Sequence, residues 1–518
     1  MANLFEHKDR WLIPNWRSFN KTTMLGELDS FQMSSNIVTE TTIEDYISDW
    51  QSNNCVVNAA DLLSAAFVNN KKTNTQVSKA ANFILSNKTI ATKSQISLAC
   101  EILKKSSDKD LSDSFKNVTF DNLPLSIKFE PIRAKIKQVK QIINNFPANP
   151  ILYVELSRYY SILGQENQSI NAMRIALHLA NDNRFVLRCA ARLFAHYHSE
   201  FNDHLTYIHN ILRKSPITSI DPWLTSAEIS IANLRNRSSK FVKKGIELVN
   251  SKNISPANFS ELASSIATVE LMYGGNKKSR EFFKKALICP NDNTLAQLEW
   301  ASTKDTRLDF PVSDFDVKMN FEALALDNYH SNNFESAIEN AAKWFIDMPF
   351  SKRPIMLGSN IASIILKDQA KAISFINAGL LSNPNDPQLI NNLAYSLALD
   401  NRPKEAFENI NKIRNNTDID EITQICLNAT SGLAYFRDGL FDEGRQKYID
   451  AIDKTNRIGH KELNWIALLN YAREEILIKS DYVKSIMQTI SKIPKEYNDI
   501  EIQVLRNDVL DLYKLTYN

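Results

Sequence analysis

Small residues recur at a near-constant interval in the later part of this chain: Ala337, Ala372, Ala406 and Gly444 follow one another at 35, 34 and 38 residues. Residues 383–413, NPNDPQLINNLAYSLALDNRPKEAFENINKI, show what repeats. Ile390, Leu393, Ala394 and Leu397 stand at helical spacing, Asp400 to Pro403 make a polar turn, and Ala406, Ile410 and Ile413 resume the spacing. Prolines close units at Pro349 and Pro384. One such hairpin cannot bury both of its faces, so the pairs are expected to stack.

Composition agrees. Only 11 glycines occur in 518 residues, whereas parallel α/β enzymes spend glycines on strand-to-helix turns and phosphate loops. The scarcity therefore points to an all-α chain. Hydrophobic residues at 43% and charged residues at 23% suit an ordinary protein with a long core. The net charge of +2 excludes no partner class.

Cys55, Cys100, Cys189, Cys289 and Cys426 are dispersed, odd in number and without a C-x-x-C pair. Neither a disulfide framework nor a zinc knuckle is expected. The opening MANLFEHKDRWLIPNW carries charges where a signal peptide has its apolar core, and no stretch reaches the ~20 apolar residues of a membrane span. A cytoplasmic location and no membrane contact are expected.

Unit by unit, the chain resembles the tetratricopeptide repeat family, with its ~34-residue period and its W-x2-L-G-x2-Y, A-x3-F and P positions. Tyr153, Leu156, Ser157 and Tyr160, then Gly164, Ser169, Met173 and Ala176, form one copy, preceded by Pro147. Phe321, Leu324 and Ala325, then Ala337, Ala341, Trp344 and Pro349, form another; Gly432, Tyr435, Gly439, Gly444, Tyr448 and Ala451 form the cleanest. Units around Gly274, Trp223 and Tyr482 match less well. Small residues such as Ala325, Ala394 and Gly432 let paired helices approach, Tyr160, Leu397 and Tyr435 fill the space between them, and Met173, Phe283, Ile410 and Tyr448 reach the next unit. The resemblance implies a right-handed superhelical solenoid of antiparallel helix pairs, with first helices lining a concave groove.

The expected organisation is residues 1–125 as an irregular segment and helical region, 126–497 as the repeat array, and 498–518 as a capping helix. Within the first part, residues 42–105 read as helices, as degenerate repeats or a separate domain. A polar loop is expected after Lys104, and TKDTRLDFPVSDFDVK at 303–318 marks a break in the array or a long loop. Trp11, Trp16 and Phe19 around Pro14 are expected to pack back onto the array, the alternative being exposure to a partner.

Enzyme motifs are missing from the sequence: there is no G-x-x-x-x-G-K-[ST], H-E-x-x-H, G-x-S-x-G or dinucleotide glycine turn. His196, His198, His204 and His209 gather near Glu200 and Asp203, but His196 and His198 leave a helix in different directions. Asp314, Asp316 and Lys318 have nuclease-like spacing without strands to hold them, and a solvated loop is the expected reading. No catalysis, cofactor or metal is expected.

The remaining reading is a scaffold or adaptor that holds a partner protein's peptide, helix or acidic segment in the groove. From the matched small residues, Leu326, Tyr329, Leu357, Ile361, Asn391, Tyr395, Leu433 and Phe436 are expected to face inward as an apolar lining. Arg158, Arg188 and Arg192, with His196 beside them, are expected to form an anion patch; in the resembled family, groove-facing basic residues clamp carboxylates, though the full Lys and Asn set of that clamp is missing here. The patch has an alternative, pairing of these arginines with Asp182, Asp203 or Glu155. A second function class is nucleic-acid binding by the middle of the chain. Residues 213–285 hold 13 lysines and arginines against 6 acids, whereas 401–518 hold 17 against 19.

Overall fold

The computed structural model describes Trp16 and residues 38–68, 73–91, 93–104, 129–198, 203–251, 253–308, 310–413, 419–494 and 499–517. Every regular element among them is helical. Trp11, Phe19, Glu200 and the polar stretch after Lys104 lie outside the described residues.

From residue 150 onward the helices come in pairs. Pro150–Ile162 turns back into Glu166–Leu179, Arg184–His196 into His204–Lys214, Pro222–Leu234 into Val242–Val249, and Pro256–Tyr273 into Asn276–Ala286. After the lone helix Asp292–Ser302, pairing resumes with Phe321–His330 and Phe334–Asp347 and continues to Lys461–Leu477 and Val483–Ile490. Local chemistry explains the starts. Asn149-Pro150, Asp221-Pro222 and Asp386-Pro387 each place a capping oxygen before a proline: Ile151 N donates to Asn149 at 3.0 Å, Leu224 N to Asp221 at 3.0 Å, and Leu389 N to Asp386 at 3.0 Å.

The turns inside the pairs explain how so few glycines suffice. Gly164 and Gly439 take the left-handed conformation there, but so do Asn236, Asn332 and Asn401. Asparagine tolerates that region better than other residues with a side chain. Close approach inside a pair uses alanine or glycine: Ala337, Ala372, Ala406 and Gly444 are all buried. Between pairs, Tyr448 stacks on Tyr471 of the following unit with ring centroids 5.4 Å apart.

On either side of the stretch 303–318, Asp292–Ser302 packs on Phe321–His330. Two 3-10 turns, Thr306–Leu308 and Val312–Asp314, stand where a second helix would, with Leu308 and Val312 buried. The helices Val38–Ser52, Val56–Val68, Thr75–Ser86 and Lys93–Lys104 enclose a core of their own around Trp50, Leu62, Leu63 and Ile84. Trp16 is buried against Phe350, centroids 5.6 Å apart, so this aromatic packs on the array.

The final helix, Ile500–Tyr517, buries Ile502, Leu505 and Val509 in the core of the C-terminal repeats. It packs beside Lys461–Leu477 and also reaches back, with Lys367 Nζ 2.6 Å from Asp508.

Candidate functional site

The first helices of four consecutive pairs converge on one cleft. Met356, Ser359 and Asn360 come from Arg353–Asn360, with Ser363 and Ile364 from the π-helical turn Ile361–Ile365 that continues it. Gln388, Asn391, Asn392, Tyr395 and Ser396 come from Pro387–Leu399; Ile422, Ile425, Cys426, Ala429 and Thr430 from Glu421–Arg437; Leu463, Ile466, Ala467 and Asn470 from Lys461–Leu477. Tyr448 closes the floor. None of the residues lining the cleft carries a charged side chain.

Hydrogen bonds orient its amides. Tyr395 Oη donates to Asn470 Oδ1 at 2.9 Å, and Asn470 Nδ2 donates to the Ile466 carbonyl at 2.9 Å. Thr430 Oγ1 donates to Asn391 Oδ1 at 2.8 Å, which leaves the Asn391 Nδ2 group as an unused donor; the Gln388 amide is likewise uncommitted. Burial pushes the Cys426 thiol up to about 11, so it serves as a small apolar wall. The cleft is thus an apolar surface studded with free amide groups.

Two of the eight residues expected to face inward, Asn391 and Tyr395, line this cleft. The other six are core. Leu357, Ile361 and Leu433 have no exposed surface, and Leu326, Tyr329 and Phe436 are buried. Phe436 lies between the helices of its pair, against Gly444 and Tyr448. The π turn matters here: Leu366 N donates to the Ile361 carbonyl, and the extra residue rotates Ser363 and Ile364 toward the cleft. What the sequence did show was Gln388, Asn391, Asn392 and Tyr395 at i, i+3, i+4 and i+7, a complete helix face beside the apolar one.

The four residues expected to form an anion patch are not assembled into one. Arg158 is fully buried, its Nε 3.4 Å from the Trp16 carbonyl and its Nη2 3.5 Å from that of Asp347. Arg192 is also buried. Arg188 pairs with Glu261 at 3.2 Å and lies over the Trp223 ring at 4.2 Å. The His196 ring packs on Phe350 at 5.3 Å. Arg158 and Arg188 are tied to the array itself, although to partners other than Asp182, Asp203 and Glu155. Burial puts Arg158 out of reach of an incoming carboxylate, and Arg188 already holds one.

The histidine group also disperses. His209 Nε2 is 2.9 Å from Glu228, His204 packs on Phe194, and Asp203 caps its helix by accepting from Thr206 N at 2.9 Å. Among the described residues no three metal-binding side chains meet.

The geometry defines a helical-repeat protein of tetratricopeptide-like fold, all-α in every described element. No family model and no curated protein matches the chain. Solved structures similar to it include yeast Tom70, at 14% identity over 74% of this chain and 96% of that one with a TM-score of 0.31. A human IFIT1 dimer with PPP-AAAA is similar at 15% identity over 76% and 95%, TM-score 0.36, and the P58(IPK) TPR domain at 12% over 75% and 95%, TM-score 0.17.

Proposed function

We propose that the chain is a non-catalytic scaffold that holds an extended, uncharged apolar segment of a partner protein in the cleft between residues 356 and 470. The observation carrying this reading is the absence of charge from the lining together with the free Asn391 and Gln388 amides. A charged segment would lose hydration there and gain no counter-ion. An extended segment brings backbone N–H and C=O groups that need partners, which a helix satisfies internally, and side-chain amides supply them. The lining favours the apolar half of the expected partner chemistry over the acidic half. Among the described residues no helix is long and apolar enough to cross a membrane.

An array of immobilised peptides that vary apolar content and charge independently tests this. Uncharged apolar peptides should be retained, with little dependence on salt. Ile422→Lys combined with Ala429→Lys, the first at an exposed position of the lining, should abolish retention while leaving the helical circular dichroism intact. Selective retention of acidic peptides, or retention unaffected by the double variant, would remove the cleft as the site.

A further inference from the structure

Away from the cleft, two basic segments distant in sequence meet around an open pocket. Arg213, Lys214, Ser215 and Ser219 follow from the end of His204–Lys214, and Lys240, Phe241 and Lys244 come from the start of Val242–Val249. Arg213, Lys214 and Lys240 are exposed and have no acidic partner among the described residues. Lys244 reaches Glu247 at 3.0 Å, but both side chains stand largely in water, where such a pair contributes little. The buried Ser215 Oγ, which lines the pocket, has no hydrogen-bond partner.

Helix stability accounts for half of this arrangement. Arg213 and Lys214 complement the negative end of their own helix. Lys244 does the opposite: it stands in the first turn of Val242–Val249, at the positive end, and that helix has no side-chain cap. A cation there opposes the helix dipole, and a bound anion reverses the sign of the interaction. The crowding extends outward. Arg235 Nη1 donates to His209 Nδ1 at 2.5 Å, so the His209 proton is on Nε2 and is given to Glu228. Arg235 is held in place while Arg237 and Arg213 repel its charge. Asp203 offsets this in part, while Glu228 is buried on His209 and Ser239 and Asp221 is buried on Arg184.

We propose that the pocket formed by Arg213, Lys214, Lys240 and Lys244 binds backbone phosphates of a single-stranded nucleic acid. Four converging cations with a hydroxyl and free helix N–H groups suit a phosphate oxyanion. Two features favour a long polyanion over one phosphorylated side chain. Arg235 and Arg237 continue the positive surface on one side. Tyr207 stands two turns up the same helix as Lys214, 37% exposed, with Phe194 at 4.9 Å and the Arg174 guanidinium at 5.5 Å from its ring, so its exposed part and Arg174 offer a base a contact.

Fluorescence anisotropy with fluorescein-labelled single-stranded oligonucleotides, as RNA and as DNA, tests the site, with a doubly phosphorylated peptide as comparison probe. The oligonucleotide should bind at low salt, with log affinity falling by ~0.7 per neutralised phosphate for each tenfold rise in salt. Lys214→Glu with Lys240→Glu should weaken binding at least ~10-fold and flatten that slope by about 1. Lys404→Glu with Lys484→Glu, reversing exposed charges elsewhere, should leave both unchanged. All variants should keep the wild-type melting curve, and each is read only where it does; Lys214→Gln with Lys240→Gln replaces a reversal that unfolds. Absence of binding at low salt, affinity indifferent to the pocket variants, or tighter binding of the phosphopeptide than of either oligonucleotide would overturn the proposal. None of these outcomes depends on the apolar cleft.

Discussion

Ser382 Oγ donates a hydrogen bond of 2.7 Å to the carbonyl oxygen of Ile162, which lies 220 residues earlier in the chain. The bond is buried and joins the end of a second helix in the later repeats to the turn of an early pair. Around it, Arg158 reaches the Asp347 carbonyl and His196 packs on Phe350. The first pairs of the array therefore touch its middle, around residues 347–384, and the superhelix is braced across its own turn.

Gly164 is the tightest point of that contact. Its φ is +66°, and an added Cβ would lie 2.9 Å from Pro384 Cδ and 3.0 Å from the Ser382 carbonyl oxygen. Gly164→Ala is expected to cost about 1 to 3 kcal/mol, from left-handed strain plus overpacking. Ser382→Ala, which loses one hydrogen bond, should cost only about 1 kcal/mol. Urea unfolding of the two variants measures the difference, and equal losses would contradict the contact.

Within a pair, Gly444 faces Phe436: a Cβ there would come 2.5 Å from Phe436 Cδ2 and 3.0 Å from the Gly432 carbonyl oxygen. Since backbone lies on one side and a buried ring on the other, Gly444→Val is expected to destabilise by about 3 kcal/mol or more. A thermal melt shows it as a lowered midpoint.

Asp61 predicts a pH effect at the junction of the N-terminal helices and the array. It is buried, its carboxylate accepts no hydrogen bond, and Arg184, 3.9 Å away, is held closer to Asp221 and Asp49. Burial, with Asp221, Asp49 and Asp182 adding to it, pushes its pKa up to about 8. The folded state then keeps a proton that the unfolded chain releases above about pH 4, so stability is lost as pH rises toward 8. Asp61→Asn should flatten the fall between about pH 6 and pH 8, a gain of roughly 1 to 3 kcal/mol at the upper end. An unchanged pH profile of the melting temperature would assign the effect elsewhere.

Cysteine reactivity reports on the cleft. Cys289 is exposed, while burial raises the Cys426 thiol to about 11. At neutral pH, alkylation followed by mass spectrometry should modify Cys289 at least ~10-fold faster than Cys426. Comparable rates would mean that the cleft wall opens in solution.

The helix pairs were legible in the sequence because their determinants are local. The spacing of Ala337, Ala372, Ala406 and Gly444 reflects contacts inside successive pairs, and caps such as Asp386 before Pro387 act within one turn of helix. The site was legible only where a helix displayed two faces at once, as Gln388, Asn391, Asn392 and Tyr395 do beside Leu389, Leu393 and Leu397. Periodicity shows that Leu357 and Ile361 share a face with the apolar stripe, but which stripe lines the cleft and which packs inside depends on superhelix curvature and on a π turn that periodicity does not reveal. The arginines needed the tertiary structure most. Arg158 and Arg188 carry the same charge at similar helical positions, yet their partners, the carbonyls of Trp16 and Asp347 and the carboxylate of Glu261, come from 142, 189 and 73 residues away. A charge is paired or left free according to what folding brings beside it, and the same folding set Arg213 and Lys214 beside Lys240 and Lys244, where the exposed Glu247 beside Lys244 is the acid within reach among the described residues.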